Sequence, residues 1–173
     1  MEMRIYVANL AAYNAGYLVG EWIDLPLDED ELKLEIQKIL DAWNDGYSPS
    51  EEWAIHDYEL PFEIGEYTNP YKVNEWVQRI EDAGVTWDLI EGFMTVFSDI
   101  EEVLDIIEQG DYRTYEGCSD MAEVAEQFYS ECYDLDSLPN IIKYNIDWEA
   151  IGEEMKVLGT FIHLNDSIIE VLD

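Results

Sequence analysis

The sequence predicts an α+β protein, and three observations carry the prediction. Two short runs rich in β-branched and aromatic residues open the chain, "RIYVANL" from Arg4 and "GYLVGEWIDL" from Gly16. Apolar stripes at helical spacing then recur through the middle, and two further short runs, "GTFIHL" and "SIIEVL", close it. Strands gathered near the ends with helices between them form the segregated pattern of that class. With 173 residues, 48% of them hydrophobic, the chain has enough apolar matter to build a core and is no disordered acidic tail.

Each element follows in order. The two opening strands flank a turn at Asn14 to Gly16. In "DEDELKLEIQKILDAW" the residues Leu32, Ile36, Ile39, Leu40 and Trp43 make one buried helical stripe, with four acids at the start, where the helix dipole favours negative charge. "EEWAIHDYEL" reads as a third strand ended by Pro61, so the first unit is ββαβ. The middle is helical: "NEWVQRIEDAG" stops at Gly84, "TWDLIEGFMTVF" follows, and "SDIEEVLDIIEQG" has its own punctuation. There Ser98 and Glu101 fit a capping box, Ile100, Val103, Leu104 and Ile107 form the core stripe, and Gly110 ends the helix. "DYRTYEG" then predicts a strand. "DMAEVAEQFYSECYD" predicts a helix with Met121, Val124, Ala125, Phe128 and Cys132 facing inward. A short helix from Trp148 to Met155 leads into a hairpin turning at Asn165-Asp166. These elements suggest three small units: 1–62 (N-terminal α+β), 63–110 (central, helical) and 111–173 (C-terminal α+β).

Charge sets the functional bounds. Forty-one Asp and Glu face eight Lys and Arg, a net of −33. The acids are spread evenly: fourteen against three bases in 1–60, twelve against two in 61–110, and fifteen against three in 111–173. An interaction tail would concentrate its charge at one end. Nucleic acid, anionic membrane and phosphorylated small molecules are excluded as direct ligands, since each needs cationic partners. Cationic surfaces are the natural targets. Cys118 and Cys132 match neither a redox pair nor zinc spacing, which predicts two reduced thiols in a cytoplasmic protein. The N-terminus has no signal-peptide pattern, and no run approaches 18 consecutive apolar residues.

Candidate chemistry is thin. His56 and Asp57 are strand neighbours pointing to opposite faces, and neither His56 nor His163 accompanies a nucleophile signature. "DEDE" at Asp28 to Glu31 and "DLDS" at Asp134 to Ser137 lack the spacing of a calcium loop. No enzyme, cofactor or metal is expected. The distinctive signal is the acids themselves, because Glu31/Glu35 and Glu101/Asp105 place like charges at i, i+4, where they cost a helix a few tenths of a kcal/mol. Two functions select such a surface: a salt-adapted acidic shell, or imitation of a polyanion. Duplex DNA carries about two charges per 3.4 Å, so −33 corresponds to roughly 16 base pairs. Imitation therefore predicts an elongated string of units, not a globule with a radius of gyration near 16 Å, the value expected of about 173 residues. The acids placed to imitate phosphates are Asp28, Glu29, Glu31 and Glu35 on the first long helix; Glu63 and Glu66 after the third strand; and Glu101, Glu102, Asp105 and Glu108 in the central unit. Asp120, Glu123, Glu126, Glu131, Asp134 and Asp136 follow, and Asp147, Glu149 and Glu153 surround the last helix.

The segments "IYVANLAAYNAGYLVGEWIDL", "EEWAIHDYELPF" and "YNIDWEAIGEEM" followed by "GTFI" resemble the ArdA antirestriction proteins of conjugative plasmids and transposons, in order from about Arg4 to the C-terminus. In the third segment Trp148 and Ile151 stand where the family commonly has tyrosine, and Glu153 where an arginine follows the glycine. The resemblance implies a DNA mimic that inhibits type I restriction-modification enzymes in the host cell. It also implies an elongated three-part homodimer in the DNA-binding groove formed by the specificity and modification subunits. An antirestriction motif would fall on the helix Asp120 to Asp134.

Overall fold

The computed structural model describes residues 2–43 and 51–172. Among them are eight α-helices, one 3-10 turn and two three-stranded antiparallel sheets, the α+β class that the sequence predicts. The chain forms two compact units, Met1–Ile90 and Glu91–Asp173.

The first unit contains β1 (Met3–Asn9), α1 (Leu10–Asn14), β2 (Gly20–Leu25), α2 (Glu29–Asp41), β3 (Trp53–Glu59) and α3 (Pro70–Ala83); α4 (Trp87–Met94) crosses the boundary. β1 lies at the centre of the sheet, in the order β2-β1-β3, and pairs Ile5 with Ile23 on one side and with Tyr58 on the other. Strand alternation buries Met3, Ile5 and Val7, while Arg4 and Tyr6 are only half-buried. α2 buries Leu32, Ile36, Ile39 and Leu40, as its stripe predicts, and each such side chain contributes about 1.5–3 kcal/mol by leaving water. Trp43 lies past the helix end, half-buried, with its ring 6.3 Å from that of Tyr17.

The turn expected at Asn14 to Gly16 is larger than the sequence suggests. α1 intervenes, and β2 starts only at Gly20. Asn9 explains the difference. It is fully buried, and its Oδ1 accepts from Ala12 N–H at 3.0 Å, capping α1. Its Nδ2 donates to the carbonyls of Ile39 (3.3 Å) and Leu40 (3.1 Å), near the C-terminus of α2, where helix carbonyls lack intrahelical partners. Asn74 does a similar job for α3, exchanging two 2.8 Å hydrogen bonds with the backbone of Leu27.

The second unit contains α5 (Ile100–Gln109), β4 (Tyr112–Glu116), α6 (Met121–Cys132), a 3-10 turn (Leu135–Ser137), α7 (Asn140–Lys143), α8 (Trp148–Leu158), β5 (Thr160–His163) and β6 (Ser167–Val171). The central strand is β6, in the order β4-β6-β5. Its core joins Tyr115, Cys118, Met121, Val124 and Ile168, with Phe128, Met155 and Phe161 packed against them. Gly152 lets α8 meet α6 at backbone distance: a Cβ there would lie 2.3 Å from the carbonyl oxygen of Met121.

Two local expectations are corrected. α5 is capped by Asp99, whose Oδ1 accepts from Glu101 N–H at 2.9 Å, and not by Ser98. Burying Ile100 at the first helical position sets that register, and Gly110 ends the helix with φ 72° as expected. Cys132 is exposed, because the apolar stripe of α6 runs out at its last residue, where Tyr133 turns extended.

Candidate anionic binding surface

Seventeen of the nineteen acids nominated above are exposed; Glu35 and Glu101 are half-buried. They sit on helices and connections of both units, so local folding, and not one pocket, presents them. At the start of α2 the carboxylates of Asp28, Glu29 and Glu31 crowd the positive end of the helix. Glu35, which opposes Glu31 by sequence, is held by Lys38 at 2.6 Å, and that pair offsets the i, i+4 repulsion. Glu63 is exposed beyond β3, and the Glu66 carboxylate lies 3.8 Å from His56 Nε2. On α5, Glu102, Asp105 and Glu108 are exposed with Glu101 beside them.

Several nominated acids also have structural work. Asp120 caps α6 by accepting from the N–H groups of Ala122 (2.9 Å) and Glu123 (3.0 Å). Glu123 reaches back to the N–H (2.7 Å) and hydroxyl (3.0 Å) of Ser119. Asp147 caps α8 through Ala150 N–H at 3.0 Å. Glu131 accepts from Gln127 at 3.0 Å, while Glu126, Glu149 and Glu153 are exposed. Asp136 binds the ammonium of Lys143, which holds its carboxyl below the usual carboxylate range. Glu126, Asp134 and Asp136 come together around one cavity of about 400 Å³.

Arg4, Lys72 and Arg113, like Lys38 and Lys143, bind near neighbours. Arg4 binds Glu59 through two hydrogen bonds (2.9 and 2.8 Å) and lies over the Trp22 ring, 4.6 Å from its centroid. The Arg4 hydrogen bonds hold the Glu59 carboxyl below its ordinary value. Lys72 pairs with Glu75 at 3.2 Å. Arg113 lies 5.3 Å from the Phe128 ring centroid, with Nη1 3.4 Å from the Tyr115 hydroxyl. Tyr115 in turn donates to Glu170 at 2.7 Å, and its burial, reinforced by that hydrogen bond, pushes the phenol up to about 12. Eight cations can neutralise only a fraction of 41 carboxylates, and those that do so act within a few ångströms.

His56 packs edge-on against Tyr13, with ring centroids 4.8 Å apart, whereas the Asp57 carboxylate accepts from Tyr58 N–H at 2.8 Å. The two do not form an acid-base pair. Among the described residues, no group of three His, Cys, Asp or Glu side chains could hold a metal ion, and no helix is long and apolar enough to cross a membrane. Sequence reasoning missed the aromatic wall beside Asp134. The Tyr129 ring is stacked on Tyr133 (centroids 5.8 Å, planes at 20°) and lies 6.3 Å from Trp148 at 32°. The i, i+4 spacing of Tyr129 on α6 and Tyr133 just past its end was a readable signal; the approach of Trp148 from α8 was not.

The family model described as "Antirestriction protein (ArdA)" matches residues 5–170. No curated protein matches the chain.

Proposed function

Since the chain belongs to the ArdA antirestriction family, we propose that it protects incoming DNA by imitating a duplex and occupying the DNA-binding groove of a type I restriction-modification enzyme. The groove is that of the specificity and modification subunits. The protein acts as a homodimer in the cytoplasm of a host carrying a mobile element, without catalysis of its own. The observation that supports this reading most is the combination of exposed carboxylates on both units with cations bound to their own neighbours.

Carboxylates on successive helix turns and connections stand in for phosphates and meet the enzyme's Lys and Arg. An exposed ion pair gives only about 0.2–1 kcal/mol, so affinity comes from many weak contacts. Titration calorimetry with a purified type I methyltransferase, repeated in the presence of its DNA, tests the idea. Competitive binding is expected, along with loss of both cleavage and methylation. Binding that DNA leaves unaffected would sink the reading. The three-part organisation, 1–62, 63–110 and 111–173, belongs to the same proposal, and small-angle scattering should give a monomer radius of gyration well above the globular value of about 16 Å.

A further inference from the structure

Two adjoining cavities of about 400 and 430 Å³ in the second unit share Tyr133, Asp134, Leu135, Ile146 and Trp148. One lobe is polar, where Glu126, Asp134 and Asp136 gather. The other is walled by Leu135, Leu138, Ile146 and Ile151 beside the Tyr129-Tyr133 stack and Trp148. We propose that this groove receives an arginine side chain from a cationic segment of a protein partner: the aliphatic stem lies in the apolar lobe, and the guanidinium stacks on the aromatic wall and meets the carboxylates. The proposal rests on the reading of a cationic protein partner given above, and gives that partner one anchor among the distributed contacts.

Chemistry favours this occupant. Arginine carries a flat, weakly hydrated cation on a methylene stem, which suits a site with rings on one side and acids on the other. Lys143 already binds Asp136 at the polar lobe, so a cation is stable there, and three carboxylates against one ammonium leave room for a second. The groove is also larger than one side chain needs, and α7, whose Lys143 lines the polar lobe, turns Ile141 (76% exposed) and Ile142 (51%) to solvent, apolar surface that a peptide segment would cover. A second copy of this chain is a poor donor, because it has only three arginines, and Arg4 and Arg113 are engaged within their own units.

The test is an NMR titration of the full chain with N-acetyl-arginine amide, its neutral citrulline counterpart and N-acetyl-lysine amide. Saturable shifts of the Trp148 indole and the Ile146 and Ile151 methyls are expected with the arginine compound, with binding about tenfold weaker for lysine and none for citrulline. Lys143→Gln should tighten the arginine compound. Asp134→Asn, an exposed change, should weaken it about tenfold with the circular dichroism unchanged, and Trp148→Leu should abolish it. Shifts spread over α2 and α5 without saturation, or equal responses to lysine and arginine, would overturn the proposal. So would groove resonances that move with protein concentration alone, which would assign the groove to a second copy. Enzyme inhibition measured in parallel separates the two readings: arginine binding without inhibition sinks the function and leaves the groove, and inhibition without arginine binding sinks the groove alone.

Discussion

Replacing Asn9 by leucine keeps a side chain of similar size in the core but leaves Ala12 N–H and the carbonyls of Ile39 and Leu40 without their partner. Each buried polar group so orphaned costs about 1–3 kcal/mol, and partial relaxation brings the expected loss to roughly 2–4 kcal/mol. A urea midpoint unchanged from wild type would show that Asn9 does not tie α1 to α2. Tyr115 yields a pH prediction. Its folded value near 12 lies above the ordinary 10.0, so the neutral phenol is the form that the fold favours. The contribution is complete below pH 10 and disappears as pH rises through 12. Tyr115→Phe should therefore reduce stability at neutral pH, through the lost bond to Glu170, and flatten the decline between pH 10 and 12 in alkaline unfolding curves. An equal decline in both proteins would place the titrating group elsewhere.

At the scale of elements, Gly152→Ala is the informative change. Alanine should help α8 by about 1 kcal/mol on intrinsic propensity. Its Cβ, however, would meet the backbone of Met121 at 2.3 and 2.5 Å, and backbone cannot rotate out of the way. The expected net effect is a loss of about 1–3 kcal/mol, read as a drop of several degrees in melting temperature. A rise would mean that α6 and α8 separate freely. Most helices and strands were legible because their apolar spacing is regular and their ends are marked: α2 and α5 carry the expected buried stripes, and Gly84 and Gly110 cap α3 and α5 with positive φ. α1 was not legible, because "LAAYN" is too short to show a period and forms through Asn9 bonds to a helix thirty residues away. The candidate surface divides in the same manner. Exposure of the acids follows from helix periodicity. That Glu126, Asp134 and Asp136 surround one cavity depends on the chain turning at Tyr133, on the 3-10 turn and on α7, none of which has a strong pattern.

Across the whole molecule, salt should act in opposite directions on stability and on binding. A net charge of −33 strains the fold by self-repulsion, which ions screen over a Debye length of about 10 Å at 0.1 M. Raising sodium chloride from about 0.05 to 0.5 M should therefore raise the melting temperature and, over the same range, weaken the proposed complex with a type I methyltransferase. Calorimetry on the free protein and on the complex measures both slopes, and slopes of the same sign would refute mimicry by charge. The pairing of Arg4, Lys38, Lys72 and Lys143 with nearby carboxylates bears on a different quantity, the rate of encounter. A plus and a minus held side by side make a small dipole whose influence fades within a short distance, and only the surplus of minus reaches far into solution. An approaching cationic protein thus feels attraction long before touching and from many directions, so capture should be fast even when few molecules are present.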